Sequence, residues 1–213
     1  MPENAAMASA DTSSAASSEP RLGLRERKKI QTRQAIRHAA YRLFEKQGYD
    51  ATPVDQIAEA ADVSPSTVFR YFPTKDDIVL TDEYDPLLEA AIRARPMSEP
   101  PVEAIRQGIL ASMRHVIDSD IAELKQRTRL VREVSSLRGR QAEGTGESAR
   151  MLCGVLAERT GRPADDLELR VVIAAVLAAM HEALMRWVER GQTEDLITLI
   201  GRTLDVLDRG LTL

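Results

Sequence analysis

Apolar residues recur with the 3.6-residue period of an amphipathic helix along most of the sequence. The first clear stripe follows the spacing i, i+3, i+4, i+7, i+8 and comprises Ile36, Ala39, Ala40, Leu43 and Phe44. Later stripes lie within residues 102–117, 124–134, 151–156, 165–190 and 193–210. No segment shows the two-residue alternation of a half-buried strand. The pattern therefore predicts an all-α protein.

Two of the later segments carry more specific expectations. The run VVIAAVLAAM, in the predicted helix of residues 165–190, is almost wholly apolar, which predicts burial on most of its sides. It falls well short of the roughly 18 apolar residues of a membrane span, so no membrane partner is expected. The segment SSLRGRQAEGTGES, residues 135–148, is rich in Gly, Ser and charge and predicts a loop.

Cap patterns divide residues 52–77 into three short helices. Two helix starts pair a hydroxyl cap with a following proline, as in Thr52–Pro53 and Ser64–Pro65. A third start, Thr74–Asp77, has the spacing of a capping box. The first two helices are joined by a short turn, which is the spacing of a helix-turn-helix. In that motif the second helix enters the major groove of DNA.

Charge is distributed unevenly, although the whole chain has a net charge of −4. Residues 1–20 contain three acids and no bases, whereas residues 21–75 contain eleven bases and six acids. The remaining residues 76–213 contain eighteen bases and twenty-four acids. A basic module therefore precedes an acidic one. We predict a disordered tail (1–20), a helix-turn-helix DNA-binding domain (21–75) and a larger helical ligand-binding and dimerisation domain (76–213).

The second short helix gathers side chains that suit contact with nucleic acid. Its first turn carries hydroxyls and free backbone N–H groups, which reach base edges and phosphates. A basic run upstream suits neutralisation of phosphates, which makes affinity dependent on salt. The residues predicted to bind DNA are Arg25, Lys28, Lys29, Ser64, Ser66, Thr67, Arg70, Tyr71 and Lys75. The alternative interpretations are a solvated helix with ordinary caps and a solvated charged face.

Candidate chemistry elsewhere in the sequence is sparse. His38, His115 and His181 are far apart, and none has a Cys or acid at metal-ligand spacing, so no metal site is expected. No catalytic or nucleotide-binding motif occurs, so neither enzyme activity nor a cofactor is expected. Cys153 is the only cysteine, which excludes an internal disulfide, and residues 1–20 lack the pattern of a signal peptide. These features predict a cytoplasmic protein.

The larger domain has residues that suit either a ligand pocket or an ordinary core. Methionine and aromatic side chains form adaptable walls, but they also fill cores, and spacing leaves both interpretations open. The candidate pocket residues are Met113, Val116, Leu130, Val134, His181 and Trp187.

Residues 27–80 resemble the N-terminal domain of TetR-type bacterial transcriptional regulators. The likeness lies in the A-x-x-L-F-x-x-x-G-Y pattern, in TPVDQIAEAADVS, and in the aromatic F-R-Y-F-P-x-K ending. The positions that match DNA contacts of the family are Thr52, Ser66, Thr67, Tyr71 and Lys75. Pro65 occupies a position that often reads bases. Phe69 replaces a tyrosine of the family's pattern, so one phosphate-bonding hydroxyl is absent.

The resemblance implies an all-helical homodimer whose last two helices, near 165–190 and 193–210, pair with their twofold mates. It also implies a pseudo-palindromic double-stranded DNA operator and a small-molecule effector bound in the C-terminal domain. The segments LVREVSSLRGR and HEALMRWVERG more loosely resemble a subgroup that binds acyl-CoA-like ligands. The candidates for contact with the phosphates, unless they form a solvated face, are Arg129, Arg132, Arg138 or Arg140.

The favoured interpretation is a ligand-responsive repressor, released from its operator by a small apolar or amphipathic effector. The alternative is a DNA-binding architectural or partner-recruiting protein without an effector, which a filled core in place of a cavity would favour. A third possibility is an enzyme whose N-terminal motif is only a fold element, and no catalytic cluster supports it.

Overall fold

The computed structural model describes residues 24–81 and 84–210, and within them the chain forms helices and no strand. The all-α prediction is confirmed. The predicted tail of residues 1–20 lies outside the described residues. The helices are α1 Leu24–Gln47, α2 Val54–Ala60, α3 Pro65–Tyr71, α4 Lys75–Leu80, α5 Asp85–Arg93, α6 Pro101–Glu133, α7 Ser135–Thr160, α8 Leu167–Glu189 and α9 Leu196–Asp208.

Helices α1–α4 surround a first buried cluster, which we call the head core. The apolar stripe predicted on α1 contributes to it, together with Ile57 of α2, Val68 of α3 and Ile78 of α4. Two further members, Val131 and Leu137, come from the end of α6 and the start of α7. The head core is therefore completed by residues far along the chain from the helix-turn-helix.

The predicted caps are confirmed for two of the three short helices. The Ser64 side chain accepts a hydrogen bond from the backbone N–H of Thr67, and Thr74 forms a capping box with Asp77. The prediction of Thr52 as a cap was wrong, because α2 begins after Pro53 without a side-chain cap. The Thr52 hydroxyl instead turns back and donates to the Gly48 carbonyl at 2.7 Å.

The loop predicted over residues 135–148 was also wrong, since this segment is the first half of α7. Glycine costs a helix interior roughly 1 kcal/mol relative to alanine, so the segment has a low intrinsic preference for helix. Tertiary contacts outweigh that cost. Leu137 is fully buried in the head core, and Arg140 hydrogen-bonds to α4. Only Val134 separates α6 from α7.

Helices α5–α9 enclose a second cluster, the body core, to which α8 contributes one face. Ile173 and Trp187 are buried there, but Leu167 and Val171 are 72% and 59% exposed. The prediction that α8 is buried on most sides is therefore wrong for the single chain. By length and composition α8 meets the criterion for a membrane-spanning helix. The core helices of soluble proteins meet the same criterion. Since one face of α8 packs into the body core, we interpret α8 as a core helix.

The last helix starts later than its sequence pattern indicated. The N-cap of α9 is Asp195, and its carboxylate accepts from the backbone N–H of Thr198 at 2.8 Å. Helix α6 is also interrupted, because the backbone at Asp120 leaves helical geometry. Asp120 then caps the second part of α6 by accepting from the N–H of Glu123 at 2.9 Å.

Candidate nucleic-acid interface and internal cavity

Helix α3 presents a polar surface to solvent and an apolar surface to the head core. Its capping residue Ser64, together with Pro65, Ser66 and Arg70, is exposed, whereas Thr67 and Tyr71 are half-buried. Val68 and Phe72, which are four residues apart, are buried and hold the helix against the head core. The side chains predicted to read DNA on α3 therefore share one accessible surface.

The hydroxyl groups at the start of α3 form a small network. The Ser64 hydroxyl lies 2.9 Å from the hydroxyls of both Ser66 and Thr67, and it also accepts from the Thr67 N–H. Cap formation thus positions the two following hydroxyls at the exposed N-terminus of the helix. Such groups act as both donors and acceptors, so they suit base edges and phosphates alike.

Two residues predicted to contact DNA lie mainly inside the head. Thr52 is fully buried, and Lys75 donates to the carbonyls of Tyr49 and Thr52 at 2.8 and 3.2 Å. The Lys75 ammonium also lies 4.2 Å from the centre of the Tyr49 ring. Both side chains stabilise the turn between α1 and α2. Their direct contact with DNA stays a prediction.

The first half of α1 is basic. Arg25, Lys28 and Lys29 are exposed on it. Further along α1, the Arg33 guanidinium lies 4.8 Å from the centre of the Phe72 ring, at the end of α3. This contact joins α1 to the C-terminal end of α3.

The body contains a cavity of about 560 Å³. Its wall is mostly apolar and includes Met113, Val116 and His181 of the predicted pocket set. The other three predicted residues lie elsewhere. Leu130 and Val134 pack against the head core, whereas their neighbour Val131 lines the cavity. Trp187 is buried in the body core, and its indole N–H donates to the Glu194 carbonyl at 3.0 Å.

A second, more polar cavity of about 430 Å³ adjoins the first. The two share five wall residues, which are Asp85, Arg127, Gln141, Thr145 and Ser148. The second cavity extends to Asp77 of α4 and to Arg140 of α7. The apolar cavity of the body therefore adjoins a polar cavity whose wall reaches the head.

Charged side chains join the head to the body on both sides of α4. Arg140 donates to the Thr74 hydroxyl at 2.6 Å and to the Asp77 carboxylate at 2.9 Å. Arg37, buried on α1, donates to the Ile78 carbonyl and forms an ion pair with Glu123 of α6 at 3.2 Å. Helix α4, which directly follows α3, is thus held by α1, α6 and α7.

Comparison with known proteins agrees with this architecture. A family model described as bacterial regulatory proteins of the tetR family matches residues 36–81, and an MftR C-terminal domain model matches residues 99–212. The HTH-type transcriptional regulator TcmR of Streptomyces glaucescens is 33% identical over 195 residues, covering 88% of this chain and 86% of TcmR.

The chain belongs to the TetR family of bacterial transcriptional regulators.

The family resemblance read from the sequence is confirmed, and the relatives of this TetR-family protein are DNA-binding regulators rather than enzymes. Thermus thermophilus FadR in complex with lauroyl-CoA shares its fold, with a TM-score of 0.56 and 23% identity over 85% of this chain and 95% of that one. Bacillus subtilis FadR in complex with stearoyl-CoA gives a TM-score of 0.59 and 23% identity over 82% and 96%. At this identity the likeness concerns the fold alone.

One group of polar residues in this TetR-family chain had no signal in the sequence. His38 of α1 lies beside Asp120 and Glu123 of α6, and their potential ligand atoms all lie within 4.8 Å of one another. The two segments are far apart in the chain, so no motif spacing reveals the group. Only the packing of α1 against the interrupted part of α6 brings these side chains together.

Proposed function

We propose that this TetR-family protein is a ligand-responsive repressor that acts as a homodimer on DNA in the cytoplasm. The exposed surface of α3 reads a half-site of a pseudo-palindromic operator, and the basic half of α1 neutralises phosphates. A small apolar or amphipathic effector enters the cavity of the body and releases the operator. The proposed division is a DNA-binding domain of residues 21–75 and an effector-binding and dimerisation domain of residues 76–213.

The position of Val131 carries this proposal. This buried side chain belongs to the head core and also lines the cavity of the body. An effector that displaces Val131 therefore repacks the surroundings of α3, because close-packed interiors transmit small shifts. Ligand binding and DNA binding are coupled through one shared side chain, together with the polar contacts of α4.

The wall chemistry supports an effector with an apolar body and an uncharged polar end. The first cavity is mostly apolar. In the adjoining polar cavity, three acids (Asp77, Asp85 and Glu147) face two bases (Arg127 and Arg140). Arg140 is already bonded to α4. The FadR proteins bind lauroyl-CoA or stearoyl-CoA, whose phosphates would meet an excess of carboxylates in this cavity.

Helices α8 and α9 are the proposed dimer interface. The exposed side of α8 carries Leu167, Val171, Ala174 and Ala178 at helical spacing, and the last two of these also line the cavity of the body. Such a stripe supports burial against a twofold mate, and small side chains permit close approach of the helices. The dimer would place two copies of α3 about one helical turn of DNA apart.

Fluorescence anisotropy tests the DNA-binding part of the proposal. The full chain is titrated onto labelled DNA from immediately upstream of its own gene and onto a scrambled duplex, across a salt series. Preferential binding to the upstream DNA, with a steep dependence on salt, is the expected result. Equal and weak binding to both duplexes would favour the alternative, an architectural or partner-recruiting protein, although the cavity counts against that alternative.

Two ligands that share a twelve-carbon chain test the effector part. Lauroyl-CoA and 1-dodecanol are added to the protein–DNA complex, and we expect the uncharged alcohol to release DNA at lower concentration. An Ala149→Phe variant, which fills the cavity wall, should keep DNA binding and lose the response. Ala111→Phe, at an exposed position of α6 outside the cavity, is the matched control. Release by lauroyl-CoA alone would contradict the proposed charge preference.

A further inference from the structure

A third cavity, also of about 560 Å³, lies between α1, the end of α2 and the interrupted part of α6. It is separate from the effector cavity, with which it shares none of its wall residues. His38, Asp120 and Glu123 line it, and they come from the head on one side and from the body on the other. Their side chains bring one imidazole and two carboxylates to a single point.

The spacing of these groups is slightly wider than that of ligands around a bound metal. His38 Nε2 lies 3.6 Å from Asp120 Oδ2, and the ligand atoms of all three residues lie within 4.8 Å of one another. Two ligands at about 2.1 Å from a tetrahedral metal lie about 3.4 Å apart. The observed separation therefore needs only a small adjustment to admit a cation.

The backbone interruption in α6 fixes the ligand geometry of Asp120. One carboxylate oxygen, Oδ1, caps the second part of α6 through the Glu123 N–H, while Oδ2 is directed towards His38. The hydrogen bond to Oδ1 therefore orients Oδ2, in the way that hydrogen bonds from neighbouring residues orient the ligands of known metal sites. Glu123 is also oriented, because Arg37 holds its Oε1 at 3.2 Å. A carboxylate has enough lone pairs to bind a guanidinium and a cation together.

The wall of this cavity also contains a buried tyrosine. Tyr41 lines the same cavity and is only 3% exposed, and its hydroxyl has no hydrogen-bond partner within the described structure. Buried hydroxyls are normally satisfied, so such an atom calls for water or a ligand shell.

We propose that His38, Asp120 and Glu123 bind a divalent transition metal such as Mn²⁺ or Zn²⁺. One imidazole with two carboxylates suits both ions, and the open side of the cavity leaves room for water as a further ligand. The site lies outside the α3 surface and outside the effector cavity. A bound ion joins α1 of the head to α6 of the body, so metal binding stabilises the relative position of the two.

Titration of the untagged full chain with Mn²⁺, followed by electron paramagnetic resonance, measures the bound and free ion directly. The wild-type chain should bind one Mn²⁺, which Zn²⁺ displaces because it forms stronger complexes with mixed nitrogen and oxygen ligands. His38→Gln and Asp120→Asn should each weaken binding at least about tenfold, the size of effect that even outer-shell changes produce. Asn is also a good N-cap, so Asp120→Asn keeps the second part of α6 capped.

His115→Gln is the matched control, because His115 is an exposed histidine on the same helix and outside the cavity. It should bind Mn²⁺ like the wild type, and thermal unfolding of both should shift upwards with Mn²⁺ concentration. Absence of a bound ion at millimolar Mn²⁺ would overturn the proposal. Unchanged binding in the His38→Gln and Asp120→Asn variants would overturn it equally, since the ion would then be held elsewhere.

Discussion

The guanidinium of Arg140 on α7 lies 2.9 Å from the carboxylate of Asp77 on α4. The same carboxylate closes the capping box of α4 through Thr74. One acidic side chain therefore maintains the start of α4 and ties it to the body. Because α4 directly follows α3, this contact links the wall of the polar cavity to the DNA-reading helix.

A double-mutant cycle on Arg140 and Asp77 measures this link. Arg140→Ala should lower the free energy of unfolding by less than about 1 kcal/mol, because partly exposed ion pairs contribute little. Asp77→Ala should cost more, since it also removes the capping box. Urea denaturation of both single variants and the double variant gives the coupling energy. Strictly additive effects would show that the two side chains do not interact in solution.

Replacement of Ser66 should separate DNA reading from helix stability. Ser66 is exposed and does not cap α3, so Ser66→Ala should weaken operator binding and leave the free energy of unfolding within about 0.5 kcal/mol of wild type. Ser64→Ala is the comparison, and it should also destabilise the chain by about 1 kcal/mol through removal of the cap. Anisotropy and thermal unfolding on the same samples distinguish the two effects. Unaltered operator affinity in Ser66→Ala would argue against the α3 surface.

The basic half of α1 should contribute to the salt dependence of DNA binding. Lys28→Ala should reduce the slope of log affinity against log salt by about 0.9 for each phosphate that the lysine neutralises in the wild type. Arg150→Ala serves as the control, since Arg150 is 77% exposed on α7 of the body. It changes the net charge equally and should leave the slope unaltered. Equal slopes for Lys28→Ala and wild type would show that Lys28 does not neutralise a phosphate.

Gly108 marks the closest approach of α6 to α5. A Cβ at this position would overlap the Ile92 side chain and lie 3.2 Å from the Ile92 backbone nitrogen. Overpacking costs about 1–3 kcal/mol and exceeds the gain of about 1 kcal/mol that alanine brings to a helix. We expect Gly108→Ala to unfold at lower urea concentration. Gly154→Ala on α7, which meets no atom within 4 Å, should instead be neutral or stabilising.

The exposed stripe of α8 should control the oligomeric state. Val171→Lys is expected to weaken dimerisation at least about tenfold, because a twofold interface buries each unpaired charge twice. Val102→Lys provides the control at an exposed valine on α6, outside α8 and α9. Sedimentation velocity over a range of concentrations measures the equilibrium for each variant. A Val171→Lys chain that dimerises like wild type would place the interface elsewhere.

Local patterns in the sequence predicted local structure well. The caps at Ser64 and Thr74 depend on residues three positions apart, so the sequence contains all that is needed to identify them. The amphipathic stripe on α1 likewise predicted Ile36, Ala40 and Phe44, which are buried in the head core. These features depend on interactions within a few residues.

Features that depend on distant contacts were not predictable. The glycine-rich start of α7 has weak helix preference, and only its packing on the head core makes it helical. Leu130 and Val134 were assigned to the pocket, but both side chains pack against the head core. No local signal tells which cluster an apolar side chain joins. The contact between His38 and Asp120 was not predictable either, because these residues are far apart in the sequence.

Val131 and Leu137 belong to the head core, although they come from α6 and α7. This affects the construction of hybrid sensors. A chimera that joins another regulator's residues up to α4 onto this body would place foreign side chains against Val131 and Leu137. The reverse chimera, with this head on another regulator's body, would lack the Val131 and Leu137 side chains that complete the head core. Exchange of specificity between relatives therefore requires that these two positions travel with the helix-turn-helix, although they lie more than fifty positions beyond its last residue, Tyr71.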